Sequence, residues 1–248
     1  MRLALVSDIH GNLPALEAVA ADIRRHGVDQ VLCLGDNLSG PLLPRETAHW
    51  LMASGWPVLA GNHERQILEW RPEAGGASDG YALSTLGTAE LDWLRTLQPM
   101  WQWAPDIFLC HGTPRSDCEH FLETPRAGVL QLATAAEIAE RLGSQRSALV
   151  ACGHSHRPRC LRTASGQRGQ MLVNPGSIGL QAYVDDEPER YVLERGTPDA
   201  NYAIVERADG TWRCSQHAVP YDHAAMAALA ARNGRPDWAQ ALLTGYVN

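Results

Sequence analysis

Five short clusters of metal-ligating side chains punctuate this chain, each where an apolar, strand-like run gives way to a loop. They are Asp8 and His10 in Ser7-Asp8-Ile9-His10-Gly11-Asn12, Asp36 in Gly35-Asp36-Asn37, Asn62 in Gly61-Asn62-His63-Glu64, His111 in His111-Gly112-Thr113-Pro114, and His154 with His156 in Gly153-His154-Ser155-His156. Between them the first 155 residues alternate short apolar runs with amphipathic segments, the pattern of strands and helices packed in layers. In sheets built from β-α units the loops leaving the carboxyl ends of the strands converge, so ligands collect there. Taken singly, an Asp after a strand is usually a cap or turn former, and a lone His is more often a surface or satisfied core residue. Those readings would have to coincide five times, in chain order, at equivalent strand ends. Oxygen and imidazole donors without thiolate suit Mn²⁺, Fe²⁺, Zn²⁺ or Mg²⁺, so the set reads as a catalytic two-metal centre.

The pattern predicts strands at Arg2–Val6, Gln30–Leu34, Pro57–Leu59, Ile107–Cys110 and Leu149–Cys152. Asn12 is placed to cap a helix striped by Leu13, Leu16, Ala20 and Ile23, and Gly27 to stop it. Further helices are expected over Arg45–Ser54, Ala89–Leu97 and Gly128–Leu142, with a turn-rich loop from Arg71 to Gly80. After His156 strand and turn signals take over: Arg159–Thr163, a turn at Ser165-Gly166, Gln170–Val173, Tyr202–Arg207, Asp209-Gly210 and Trp212–His217. The acidic stretch Gln181–Asp199 reads as a surface loop whose middle, Arg190–Glu194, is a short strand or a turn. A helical tail from about Asp222 to Leu243 is interrupted near Gly234 and Pro236. Trp50, Trp56, Trp93, Trp101 and Trp103 fall on apolar faces or strand ends and are expected in the core.

At 248 residues the chain can bury one substantial core, and residues 1–248 are expected to form a single domain. A formal charge of −7 with no long basic cluster argues against a nucleic-acid or membrane-binding surface. The strand-like opening, the lack of an 18-residue apolar stretch and six scattered cysteines without a Cys-x-x-Cys pair lead us to expect a cytoplasmic protein with reduced thiols. A homo-oligomer is compatible with the sequence.

The ordered set Asp-x-His, Gly-Asp, Gly-Asn-His-Glu, His, Gly-His-x-His resembles the calcineurin-like metallophosphoesterase superfamily from Asp8 to His156. Gly35–Pro41, Asn174-Pro175-Gly176-Ser177 and Val219-Pro220-Tyr221-Asp222 resemble its compact bacterial branch of phosphodiesterases and diadenosine tetraphosphatase-related proteins. The resemblance implies an α/β fold of two mixed β-sheets packed as a sandwich with helices on both sides. It implies two divalent ions, Mn²⁺ first, with Fe, Zn, Ni, Co or Mg as alternatives. One ion would take Asp8, His10 and His156, the other Asn62, His111 and His154, and Asp36 would bridge them. With two ligand carboxylates the centre would keep a charge of roughly +2, enough to hold a phosphate anion. A metal-bridging hydroxide would attack phosphorus in line, and His63 would protonate the leaving oxygen.

Related protein phosphatases and dinucleotide hydrolases carry Gly-Asp-x-x-Asp-Arg-Gly, whose second Asp orients the catalytic His and whose Arg grips phosphate. Here Asn37-Leu38-Ser39-Gly40-Pro41 follows Asp36 and supplies neither, and Ser39 cannot reproduce a bidentate guanidinium contact. The expected substrate is therefore a small or nucleotide-like phosphodiester. A phosphomonoester, phosphoprotein or dinucleotide polyphosphate is the alternative, and a non-catalytic binding scaffold, like the retromer subunit of this fold, is a third reading. Arg45, Arg65 and Arg115 are candidates to replace the missing charge. Glu64 is expected either to buttress a ligating His or to sit exposed at a helix start.

Overall fold

Apolar residues on both faces of the first strand decide the architecture. The computed structural model describes residues 1–163 and 169–247, so the expected turn at Ser165-Gly166 lies outside the described residues. In chain order the elements are β1 (Arg2–Val6), α1 (Leu13–His26), β2 (Gln30–Cys33), α2 (Pro44–Ser54), α3 (Asn62–Glu69), α4 (Ala77–Thr85), α5 (Thr88–Thr96), β3 (Met100–Ala104) and β4 (Ile107–Cys110). There follow β5 (Glu123–Arg126), β6 (Val129–Leu132), α6 (Ala135–Leu142), β7 (Leu149–Ala151), β8 (Arg159–Arg162), β9 (Met171–Asn174), β10 (Ala182–Asp185), β11 (Tyr191–Glu194), β12 (Ala200–Ala208), β13 (Thr211–Val219), α7 (His223–Arg232) and α8 (Pro236–Thr244).

Two mixed sheets carry the core, in the orders β13-β12-β1-β2 and β3-β4-β7-β9-β8. Side chains alternate across a strand, so Leu3 and Leu5 of β1 meet Ile107, Leu109, Leu149 and Ala151 of the facing sheet. Ala4 and Val6 turn the other way, onto Leu16, Val19 and Ile23 of α1. On the far side Phe108, Cys110, Val150 and Cys152 pack against Ile138 and Leu142 of α6. Strands covered on both faces read as continuous apolar runs, which is why they stand out in the sequence. β1 and β2 are parallel, as are β4, β7 and β9, and the carboxyl ends of β1, β2, β4 and β7 deliver four of the five ligand clusters.

The expectation of two sheets is corrected to three among the described residues. β10, β11, β6 and β5 form a small additional sheet: β11 is the short strand allowed for at Arg190–Glu194, β10 lies in the part expected as loop, and β6 in the first half of the helix expected at Gly128–Leu142. Of β6 only Leu130 is buried, against Tyr191 and Leu193, so its apolar residues show no clean two-residue period. The helix starts at Ala135, where Thr134 and Glu137 close a reciprocal capping box. The Pro57–Leu59 segment is not a strand but makes single bridges, Val58 to Cys33 and Leu59 to Gln98. The last four residues of the expected Arg71–Gly80 loop are helical: α4 begins at Ala77, and at Gly80 a Cβ would meet the Trp70 ring at 2.8 Å. Trp101 is not a core residue. It lies 45% exposed on the edge strand β3. Among the described residues no helix is long and apolar enough to cross a membrane.

Candidate metal centre

The loops after β1, β2, β4 and β7 and the first turn of α3 bring all seven predicted ligands together. Asp8, His10 and His156 place one donor atom each within 4.8 Å of one another, and so do Asp36, His111 and His154. The two groups adjoin, since His111 Nε2 lies 3.0 Å from Asp36 Oδ2 and 4.0 Å from Asp8 Oδ1. Asn62 enters beside Asp36, at the start of α3.

The backbone here is unusual. Among the described residues seven non-glycine positions have left-handed φ, and five of them are Asp8, His10, Asp36, His154 and His156. Such conformations are uncommon outside glycine and persist only where surrounding structure imposes them. Glu64 imposes part of it. Buried at the start of α3, it accepts hydrogen bonds from the backbone N–H groups of Asp36 (2.9 Å), Asn37 (2.8 Å), Leu38 (3.3 Å) and Gly61 (2.7 Å). Both sequence readings of Glu64 are therefore corrected: it is neither exposed nor bonded to a ligating His, but ties the Asp36 loop to α3. Gly61 allows the close approach, because a Cβ there would meet Asp36 Oδ1 at 2.1 Å.

Three ring orientations are fixed alike. The Nδ1 atoms of His10, His111 and His156 each lie 2.8 Å from a backbone carbonyl, of Ser39, Leu34 and Leu180 respectively. A carbonyl only accepts, so each Nδ1 carries the proton and each Nε2 presents a lone pair to the cluster. His10 Nε2 and His156 Nε2 face each other at 3.0 Å, an arrangement with no proton to share that a cation relieves. Asp8 Oδ2 and Asn62 Oδ1 are buried without hydrogen-bond partners, and a buried polar atom left unpaired is costly. Opposed lone pairs, orphaned oxygens and a donor set of imidazole, carboxylate and amide fit divalent cations.

Electrostatics agree for three of the four imidazoles; for His111 burial works downward, but the adjoining Asp36 carboxylate outweighs it and raises the ring to about 10. Burial holds His10 and His154 down at about 4 and pushes His156 well below its ordinary value, keeping these imidazoles neutral as ligands must be. Burial raises the Asp8 carboxyl to about 7, helped by the negative charge of Asp36. For Asp36 burial works upward, yet His111 and His63 hold it well below the carboxylate range.

His63 stands beside the cluster, its ring 5.4 Å from that of His10, and its backbone N–H donates to Asp36 Oδ1 at 3.0 Å. Its Nδ1 is 2.8 Å from Oδ1 of Asp79, a buried residue in the first turn of α4. Burial lowers the His63 pKa, but Asp36 first and Asp79 next outweigh it and hold the ring up to about 9. Asp79 thus supplies from α4 the carboxylate partner missing after Asp36. Sequence reading overlooked it inside an expected loop, and the helix-start pattern Gly76-Ala77-Ser78-Asp79 was its only signal. His120 was also missed. It stacks on His154 at 4.6 Å, and its Nε2 lies 2.9 Å from the Tyr191 hydroxyl.

The site opens into a cleft of about 1130 Å³ walled by Ser39, Arg141, Tyr183, Asp185, Arg235 and Trp238 among others. The proposed substitute arginines are engaged elsewhere: Arg45 with Glu90 at 4.0 Å, Arg65 with Asp117 at 2.8 Å, and Arg115 with Glu119 and Glu140 at 2.6 Å. Asn12 caps α1 through Ala15 N–H and spends its amide on the Gly179 carbonyl and Tyr221 hydroxyl. Asn174–Ser177 does return to the site, where the Ser177 hydroxyl donates to the Asp8 carbonyl at 2.8 Å.

Residues 1–195 match the family model described as the calcineurin-like phosphoesterase superfamily domain. The solved structure of a metallophosphoesterase from Sphaerobacter thermophilus is 26% identical, with a TM-score of 0.77 over 99% of this chain and 100% of that one. An uncharacterized protein of Methanocaldococcus jannaschii is 23% identical over 252 residues, covering 95% of this chain and 94% of its own.

Proposed function

This chain belongs to the calcineurin-like phosphoesterase superfamily, and from that premise we propose that it hydrolyses a small or nucleotide-like phosphodiester at the Asp36 centre. The observation that carries the reading is the opposed, proton-free pair of His10 and His156 Nε2 atoms beside the orphaned oxygens of Asp8 and Asn62. Asp8, His10 and His156 would hold one divalent ion, Asn62, His111 and His154 a second, and Asp36 would be shared. When bound, such ions polarise phosphoryl oxygens and make water a nucleophile near neutral pH.

The protein's own groups do the rest. Asp79 holds His63 Nδ1, which leaves Nε2 to carry a proton to the departing oxygen. Tyr183 packs edge-on against His156 at 4.8 Å and Trp238 against His10 at 6.0 Å, which gives the cleft aromatic walls beside the cluster.

The preference for a diester rests on charge. A monoester carries about −1.5 to −2 charges at pH 7, a diester one. The two arginines walling the cleft are already committed: Arg141 to the carbonyls of Phe121 and Glu123, Arg235 to Asp237 and Ser78. Asp185, Glu187 and Asp237 add negative charge to the same walls, and the singly charged substrate suffers less from it.

Mn²⁺-loaded protein offered bis(p-nitrophenyl) phosphate and p-nitrophenyl phosphate in parallel tests the reading. The diester is expected to turn over faster. A faster monoester would overturn the substrate preference, and no release above blank from either would replace the enzyme with a binding scaffold.

A further inference from the structure

A second group of metal-type donors lies at the other end of α1. The helix starts beside the Asp36 centre, and Asp22 lies about 14 Å along it from Leu13 at 1.5 Å per residue. Asp22 and His26 are four residues apart and so share a face, with His26 Nε2 3.5 Å from Asp22 Oδ2. His217 of β13 comes from the neighbouring sheet, its ring 4.9 Å from that of His26. Asp22, His26 and His217 each offer a donor atom within 4.8 Å of the others.

The supporting contacts have the form found around ligating side chains. Ser215 Oγ lies 2.9 Å from His217 Nε2; with Nε2 donating to the hydroxyl, Nδ1 keeps its lone pair. Tyr202, paired with His217 in the β12–β13 ladder, stacks on that ring at 4.8 Å and donates its hydroxyl to Asp22 Oδ2 at 2.5 Å. A carboxylate oxygen accepts at two positions, so Oδ2 can take the tyrosine and a cation together. Arg25 occupies the other oxygen, Oδ1. Ligating imidazoles and carboxylates are characteristically oriented by such outer hydrogen bonds. The Asp22 and His26 side chains are 15% and 32% exposed, so a fourth position is open to water.

We propose that Asp22, His26 and His217 form a mononuclear site for a later first-row divalent cation, Zn²⁺ being the natural probe, which fastens the end of α1 to β13. Two imidazoles and one carboxylate with a remaining water position match three-ligand zinc coordination, and imidazole donors favour Zn²⁺, Ni²⁺ or Cu²⁺ over Mg²⁺. This site does not depend on the phosphodiesterase reading.

The test is zinc content per chain, by elemental analysis of chelator-stripped protein equilibrated at a series of free Zn²⁺ concentrations. Wild type is expected to hold one ion more than His217→Ala, with His217→Ala retaining its phosphodiester hydrolysis. Tyr202→Phe should raise the half-saturating concentration of that ion roughly tenfold. Asp36→Asn should lose ions from the other centre and keep this one, which separates failure of one site from failure of the other. If His217→Ala does not fold, His26→Gln, at the half-buried helix end, replaces it. Equal zinc content in wild type and the folded histidine variant at every concentration would overturn the proposal.

Discussion

Replacing Asp79 by Asn keeps the shape of the His63 contact and removes its charge. The bond is 2.8 Å long and Asp79 is 4% exposed, so solvent does little to weaken it. A hydrogen bond to a charged group contributes about 1.5–3 kcal/mol, which corresponds to about 1–2 pK units at 1.36 kcal/mol each. His63 is held up to about 9 by Asp36 and Asp79 against burial, and cations beside Asp36 offset its share, leaving Asp79 the main support for the imidazolium. A weaker partner lowers the pKa, so His63 loses its proton at lower pH and the alkaline limb of the rate profile moves down. Above that limb a diester with an alkyl leaving group should react about 10–100-fold more slowly. A p-nitrophenyl leaving group, which departs without protonation, should change little, and metal content should stay the same. Comparing kcat against pH for the two esters, with elemental analysis of both proteins, decides the matter. Equal losses on both substrates, or lost metal, would refute a role for Asp79 acting through the leaving-group proton.

Two further outcomes are expected. Gly61→Ala places a Cβ 2.1 Å from Asp36 Oδ1, so the Asp36 carboxylate must move; bound metal and activity should fall at least tenfold while circular dichroism stays native, and retained metal would contradict the assigned packing. Because burial holds the Asp8 carboxyl protonated up to about pH 7 in the metal-free protein, adding Mn²⁺ in weak buffer should release up to about one more proton per chain at pH 6 than at pH 8, and equal release would argue against Asp8 as a ligand.

Six of the seven clustered donors were legible because they follow strands buried on both faces, β1, β2, β4 and β7, where apolar runs are unbroken, and Asn62 because Gly61-Asn62-His63-Glu64 is itself a recognisable pattern. Helices α1, α2 and α5 were legible from their stripes and stop signals to within a residue or two. What escaped was stabilised by partners remote in sequence. β6 buries little beyond Leu130 and exists through pairing with β5 and β11. α4 carries a glycine at position 80, unfavourable in a helix by about 1 kcal/mol, and that glycine is what lets Trp70 lie against it. Asp79 was hidden with it, since nothing local announces that a carboxylate 16 residues after His63 will meet it. Glu64 shows the converse: its position after Asn62-His63 was noticed, but its partners, four amides on two segments, only folding reveals.

Glu64 also has a consequence for how the molecule can vary. One carboxylate gathers amides from the Asp36 turn and the entry to α3, so Asp36, Asn62 and His63 move as a rigid jaw. The opposing jaw, Tyr183 to Pro188 with Arg235 to Trp238, meets it through single contacts, Arg235 to Ser78 of α4 and the Trp238 ring edge-on to His10. Adaptation to a differently shaped ester therefore falls to that second jaw, while the spacing of bridge, ligand and acid stays as the first one sets it.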